Sequence, residues 1–214
     1  MDITIKLPFL SGKAGPESPV LGDERQQYFD QLHGKYYAMQ KKGRLFVATS
    51  LTGGIALIVS ATTGGHPTLW NPAGSGRIIS VQKLALGYVS GNNAPGSLAW
   101  NIVENAGAGI ATGAVIPTAT RVEVESARAG AAVDSKAYWS PATNTFTVAP
   151  AFYRACNLSL FTGVAATAVA PFTLTEEYDG DLEISEGTAL CLVAQQATTT
   201  SLFRVTVMFE EYDN

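Results

Sequence analysis

A chain of 214 residues that is 46% hydrophobic and 15% charged is long enough to bury one sizeable core and too apolar to remain unfolded. Its formal net charge of −4 and mean hydropathy of +0.12 exclude a polycationic nucleic-acid binder and a chain dominated by membrane spans. Charge is unevenly spread: the first 44 residues hold seven Lys/Arg and five Asp/Glu, whereas the remaining 170 hold seven and thirteen. That split predicts an N-terminal arm, residues 1–44, ahead of a charge-poor body, residues 45–214. The arm is weakly positive and the body negative. A body of that sign repels phosphate backbones, so no nucleic-acid partner is expected.

The start, Met1-Asp2-Ile3-Thr4-Ile5-Lys6, has no basic stretch followed by a long apolar run, and so does not read as a secretory signal. Residues 1–22 contain Pro8, Pro16 and Pro19 with Gly12, Gly15 and Gly22, a density of breakers that predicts an extended segment without a core of its own. Residues 23–43 read as a helix. Asp23 is placed to cap it, Glu24 favours its first turn, Lys41 and Lys42 favour its last, and Gly43 is placed to end it. Phe29, Leu32, Tyr36 and Met39 recur at helical spacing and form one apolar stripe. Two homes for the stripe are open: the chain's own body, or a neighbouring subunit. Tyr28, Phe29, Leu32, His33, Tyr36 and Tyr37 are the candidate attachment residues, because aromatic anchors dominate interface energetics.

From Leu45 the period is two. In 201–211, Phe203, Val205, Val207 and Phe209 share one face, and Leu202, Arg204, Thr206, Met208 and Glu210 the other. Residues 120–126 read as a half-exposed strand, with Val122 and Val124 alternating against Arg121, Glu123 and Glu125. Further strands are expected at 46–50, 55–61, 77–89, 97–103, 144–149, 157–162, 171–176 and 188–194. Turn material separates them, as at Gly53-Gly54 and Asn71-Pro72-Ala73-Gly74. About ten short strands without a long helical pattern predict an all-β body, a β-sandwich or jelly roll. The longest apolar stretch, Ile55 to Val59, is far below the roughly 20 residues of a membrane helix, so no membrane partner is expected.

Residues able to carry chemistry are few. Gly107-Ala-Gly-Ile-Ala-Thr-Gly113 lacks the spacing and the Lys-Ser/Thr of a phosphate loop, and reads as a loop. His66, beside Gly64, Gly65 and Pro67, has no nucleophile elbow with it and is expected in an exposed loop. The stretch Glu176-Glu177-Tyr178-Asp179-Gly180-Asp181-Leu182-Glu183 is the best metal candidate, but without calcium-loop spacing it reads as an acidic turn between strands. Cys156 and Cys191, far apart in apolar contexts, are expected to be buried reduced thiols. Asn157-Leu158-Ser159 is a glycosylation sequon inside an expected strand of a chain expected to stay in the cytoplasm. Trp70, Trp100 and Trp139 are too dispersed for a stacking platform and fit core or interface roles. Catalytic residues, metal ligands and cofactors are all expected to be absent.

Three stretches carry a resemblance: His33-Gly34-Lys35-Tyr36-Tyr37; Leu69-Trp70-Asn71-Pro72-Ala73-Gly74-Ser75-Gly76-Arg77 leading to Gly87-Tyr88-Val89-Ser90-Gly91; and Glu186-Gly187-Thr188-Ala189-Leu190-Cys191-Leu192-Val193 followed by Val205–Glu211. In that order they resemble small structural proteins of tailed bacteriophages, similar in layout to virion decoration or cement proteins. The chain departs from that pattern with Ala38, Met39 and Gln40 after Tyr37, where an acidic residue is expected, and with Phe209 where a Trp is often seen. The resemblance implies a non-enzymatic virion protein on the capsid surface, made in the bacterial host cytoplasm, that binds the major capsid protein, stabilises the head and self-associates as a homotrimer. Two other classes stay open. One is a tail, portal-vertex or head-fibre component of the virion. The other is a carbohydrate-binding jelly-roll module, which clustered exposed aromatics beside paired carboxylates would favour; none are visible along the sequence.

Overall fold

A computed structural model describes residues 35–50, 53–59, 65–91, 96–104, 122–123, 125–130, 134–141, 146, 149–160, 172–195 and 201–214, apart from the side chains of 122, 123, 159 and 160. The chain divides into two units, Met1–Tyr37 and Ala38–Asn214. Of the first, Lys35, Tyr36 and Tyr37 are described. Residues 23–34 of the expected helix lie outside the described residues. At its C-terminal end stands α1, Tyr37–Lys41. It stops as the sequence suggests: Gly43 takes a φ of 68°, its amide donates to the Gln40 carbonyl, and the Arg44 amide donates to that of Met39. This is a Schellman cap, which needs the left-handed residue that glycine supplies cheaply.

The body is all-β. Its strands are β1 (Leu45–Thr49), β2 (Ile55–Ala56), β3 (Thr68–Asn71), β4 (Arg77–Ser90), β5 (Gly96–Val103), β6 (Val122–Glu123), β7 (Glu125–Ser126), β8 (Tyr138–Ser140), β9 (Ala151–Leu160), β10 (Thr173–Ile184), β11 (Thr188–Ala194) and β12 (Leu202–Asp213). They form two antiparallel sheets. The first runs β10-β4-β12-β1-β7, with β2 also on β12, and the second β6-β8-β3-β11-β5-β9. Its eight principal strands are β1, β3, β4, β5, β9, β10, β11 and β12. Numbered one to eight in chain order, they give sheet orders 6-3-8-1 and 2-7-4-5. In that series every step crosses between the sheets except the fourth to the fifth, β5 to β9, which are antiparallel neighbours in the second sheet; this interleaving is the jelly roll.

The core lies between the sheets. Ile79, Val81, Leu84 and Leu86 of β4 and Phe203, Val205, Val207 and Phe209 of β12 face Leu98 and Trp100 of β5, Leu190 and Leu192 of β11, and Trp139 of β8. Period-two alternation in β12 produced that face as expected: all four of its apolar residues are fully buried. A second cluster of Trp70, Val103, Phe146, Ala189, Cys191 and Val193 covers the other face of the second sheet. So β11 is buried at every position. That explains why Thr188–Ala194 reads as a continuous apolar run instead of alternating.

Several expectations are corrected. Residues 120–126 do not form one strand: Val122–Glu123 pairs with β8 in the second sheet, and Glu125–Ser126 with β1 in the first. The alternation there marks a crossover between sheets at their common edge. Among the described residues of 55–61, which stop at Val59, Ile55–Ala56 pairs as a strand with β12, while Val59 makes an isolated bridge to Ala194. Of 144–149, residues 144, 145, 147 and 148 lie outside the described residues; Phe146 and Ala149 are outside any strand, and Phe146 packs on the second sheet. Conversely, β3 and β8 were not anticipated. Both are short, and β3 is buried on both faces, so neither offers alternation to detect.

Candidate functional site

Of the six candidate attachment residues, Tyr28, Phe29, Leu32 and His33 lie outside the described residues. Tyr36 is half-buried and Tyr37 is 39% exposed. The Lys35 ammonium stands 5.2 Å from the centroid of the Tyr36 ring, a cation–π approach.

The acidic stretch 176–183 is not a turn between strands but a wide bulge inside β10. Glu177 pairs with Lys83 and Leu182 with Val81, so four residues of β10 face the single Gln82 of β4. Asp179, with a φ of 52°, and Gly180, with 96°, absorb the bend. The bulge turns Tyr178 into the core, where its hydroxyl accepts from Trp100 Nε1 at 2.7 Å and faces Cys156 Sγ at 3.7 Å. Burial there raises the Tyr178 phenol well above its ordinary value. The carboxylates disperse. Glu176 is buried and accepts from the Asn157 amide, Glu177 meets Lys83 at 3.4 Å, Asp181 stands 3.9 Å from Arg154, and Glu183 accepts from the Tyr212 hydroxyl. Among the described residues no group of three or more His, Cys, Asp or Glu is placed to hold a metal ion.

His66 is a second correction: it is fully buried, not an exposed loop residue. Its carbonyl accepts from Thr68 Oγ1, and the next carbonyl, of Pro67, accepts from the Leu192 amide. This segment is held as a lead-in to β3, which draws the imidazole inside. Both cysteines are buried free thiols. Burial pushes each up to about 12, out of the range of a nucleophile. All three tryptophans are buried. The glycine-rich stretch 107–113 lies outside the described residues. Asn157 falls in β9, as the sequon's context implied.

One surface was missed by the sequence reading. The edge strands β10 and β9 close one lateral side of the sandwich, where Arg154 of β9 also lies over the Tyr178 ring at 5.6 Å. In β9, Arg154 pairs with Trp100 and Phe152 with Asn101, so Tyr153 is an extra residue. That bulge leaves Phe152 63% and Tyr153 47% exposed side by side. Next to them a hollow of about 400 Å³ is lined by Ile102, Glu104, Tyr153, Glu183, Glu186 and Thr188. Exposed aromatics beside carboxylates thus exist here, assembled from four strands and their ends. Neither sequence neighbourhood showed them, because Glu104, Tyr153 and Glu183 meet only through the topology.

The opposite lateral side carries cations. Lys41 ends α1 and Lys42 follows it, Arg44 precedes β1, and Arg128 follows β7. Gln40 Nε2 donates to the Ala127 carbonyl, and the Ala127 amide to that of Leu45, which holds α1 and the end of β7 together. Arg44 and Arg77 share Asp213, at 3.6 Å and 2.5 Å. Burial raises the Glu210 carboxyl above its ordinary value, against the pull of Arg44 and Lys42. Among the described residues no helix is long and apolar enough to cross a membrane.

No family model and no curated protein matches this chain. Among solved structures, one titled "Structure of deformed wing virus carrying the GFP gene" aligns over 94% of this chain and 92% of that chain, at 8% sequence identity and a TM-score of 0.27. A score at that level is below the likeness of a shared fold.

Proposed function

We propose that this chain is a non-enzymatic structural protein of a bacteriophage virion, a decoration or cement protein that binds the major capsid protein and stabilises the head. The observation that carries the reading is the filled jelly roll. Where a ligand-binding jelly roll opens a cavity between its sheets, this one seats Trp100, Trp139, Phe203 and Phe209, all fully buried. The rigid body then serves as a spacer and a surface. Jelly rolls build viral capsid and lectin domains alike, so the fold supports this role without selecting it. The layout of the three stretches given above supports the bacteriophage address.

In this reading the N-terminal arm is the attachment device, with Tyr28, Phe29, Leu32, His33, Tyr36 and Tyr37 as its anchors. Burying three such side chains is worth roughly 1.5–3 kcal/mol each before ordering costs. Particles assembled without the protein are the test. Full-length chain added back is expected to bind in hundreds of copies per head, whereas a chain starting at Ala38 stays folded and does not bind. A few to a few dozen copies would move the protein to a tail, portal-vertex or head-fibre position. Full occupancy by the truncated chain would overturn the role of the arm.

A second reading, a carbohydrate-binding module, gains one observation: Tyr153, exposed next to Phe152 in the chain, lines a hollow with Glu104, Glu183 and Glu186. Titration of the intact protein with a panel of soluble glycans tests it, with saturable Tyr153-dependent binding as the supporting result.

A further inference from the structure

The two lateral sides of the sandwich are opposite in chemistry. On the β9–β10 side, Glu104, Glu183 and Glu186 line the hollow beside Tyr153, which is exposed together with Phe152, and Glu177, Asp179 and Asp181 lie on β10. The cations there, Lys83 and Arg154, are engaged with Glu177 and Asp181. On the β1–β7 side stand Lys41, Lys42, Arg44 and Arg128, with Glu125, Glu210 and Asp213 among the nearby carboxylates, Asp213 being paired with Arg44. In the first sheet β4 and β12 separate the two sides. Both surfaces also lie toward one end of the sandwich, where β1 begins and β10 and β12 end: Glu210 pairs with Leu45, Glu211 with Ile79, and Ile184 with Ile79.

From this placement we infer that copies of the chain associate head to tail, the acidic aromatic side of one copy receiving the basic side of the next. The occupant is a second copy because the chain itself supplies the complementary charge on its far side. A two-fold contact of the acidic side with itself would bring like carboxylates together, so the contact is heterologous. A heterologous contact between lateral sides generates a ring when its rotation closes. Phe152 and Tyr153 supply the apolar centre such a contact needs, and the carboxylates its rim and orientation. The β9 bulge suits this role, because it breaks the flat strand edge that would otherwise pair indiscriminately with other strands. The inference rests on the self-association within the proposed function and assigns it a surface.

The experiment uses the full chain and two variants, each crippled on one side: Lys41→Glu/Lys42→Glu, and Phe152→Ser/Tyr153→Ser/Glu104→Lys. Masses are read by sedimentation velocity over a concentration series, with thermal melts to confirm folding. Wild type is expected as a closed oligomer and each variant as a monomer with an unchanged melt. Mixed, the variants form a 1:1 dimer and nothing larger, because one intact contact remains. Should the triple variant fold poorly, Glu104→Lys alone is read instead, with a several-fold weaker assembly expected. An oligomeric wild type whose variants keep its mass, or whose variants stay monomeric on mixing, overturns the surface assignment and leaves the virion role standing. A monomeric wild type overturns the self-association with it, while add-back to particles still reads the virion role separately. If the Phe152/Tyr153 change abolishes glycan binding and leaves mass untouched, the face belongs to a sugar and the inference fails.

Discussion

Trp100 Nε1 donates to the Tyr178 hydroxyl at 2.7 Å inside the core, joining β5 of one sheet to the bulge of β10 in the other. The rings meet edge-on, with centroids 6.4 Å apart. The bond satisfies an indole donor that would otherwise be stranded between the sheets. Tyr178→Phe keeps the ring and removes the acceptor. It is expected to lower unfolding stability by about 1–3 kcal/mol, read from urea denaturation. An unchanged midpoint would show that the bond contributes nothing.

Glu211 follows Phe209 on the buried face of β12 and is itself almost fully buried. Its carboxylate accepts from Ser135 Oγ and from the amides of Lys136 and Ala137, fastening the segment before β8 to the end of β12. Glu211→Ala strands these donors and is expected to cost about 3 kcal/mol or more. Glu211→Gln, which retains one carbonyl acceptor, recovers part of it. Amide exchange at Lys136 and Ala137 should accelerate in both, and more in the alanine variant.

Gly54 and Gly74 share the same backbone conformation, with φ of 73° and 75°. At Gly54 a Cβ would meet Val89 Cγ2 at 3.0 Å and the Phe203 carbonyl at 3.2 Å, whereas at Gly74 it meets open space. Gly74→Ala is expected to cost about 1 kcal/mol, the left-handed penalty alone. Gly54→Ala adds a clash against β12 and is expected to cost at least about twice as much. Equal melting temperatures for the two variants would refute the distinction.

Burial raises the Cys156 and Cys191 thiols from 9.0 to about 12, so the folded state holds their protons more tightly than the unfolded state. Their contribution is complete below pH 9 and is lost as pH rises toward 12. Stability is therefore expected to fall through that window, and less steeply in a Cys156→Ala/Cys191→Ala variant. Ellman's reagent at pH 8 should label neither thiol until the chain is unfolded.

How legible was this in the sequence? Period two in 202–209, with apolar residues at every odd position, was enough to place β12 and its buried face, because alternation follows directly from strand geometry. Density of turn residues and the lack of helical spacing marked an all-β body. The helix stop at Gly43 was likewise local, set by the one residue that takes a positive φ without strain. Where burial is two-sided the signal vanished: Thr68–Asn71 and Tyr138–Ser140 offer no alternation. The acidic run misled because a bulge uses the same Asp-Gly chemistry as a turn.

Local sequence thus determined what each segment prefers: strand, turn, helix end, apolar face. Tertiary structure decided which segments meet. It turned Tyr178 inward from a stretch of carboxylates, buried His66 ahead of β3, gave Glu211 its donors from a segment 75 residues away, and gathered Glu104, Tyr153 and Glu183 beside one hollow. Each depends on pairing between strands distant in the chain. Such pairing is selected by the burial of both sheets together, a property no single window of residues contains.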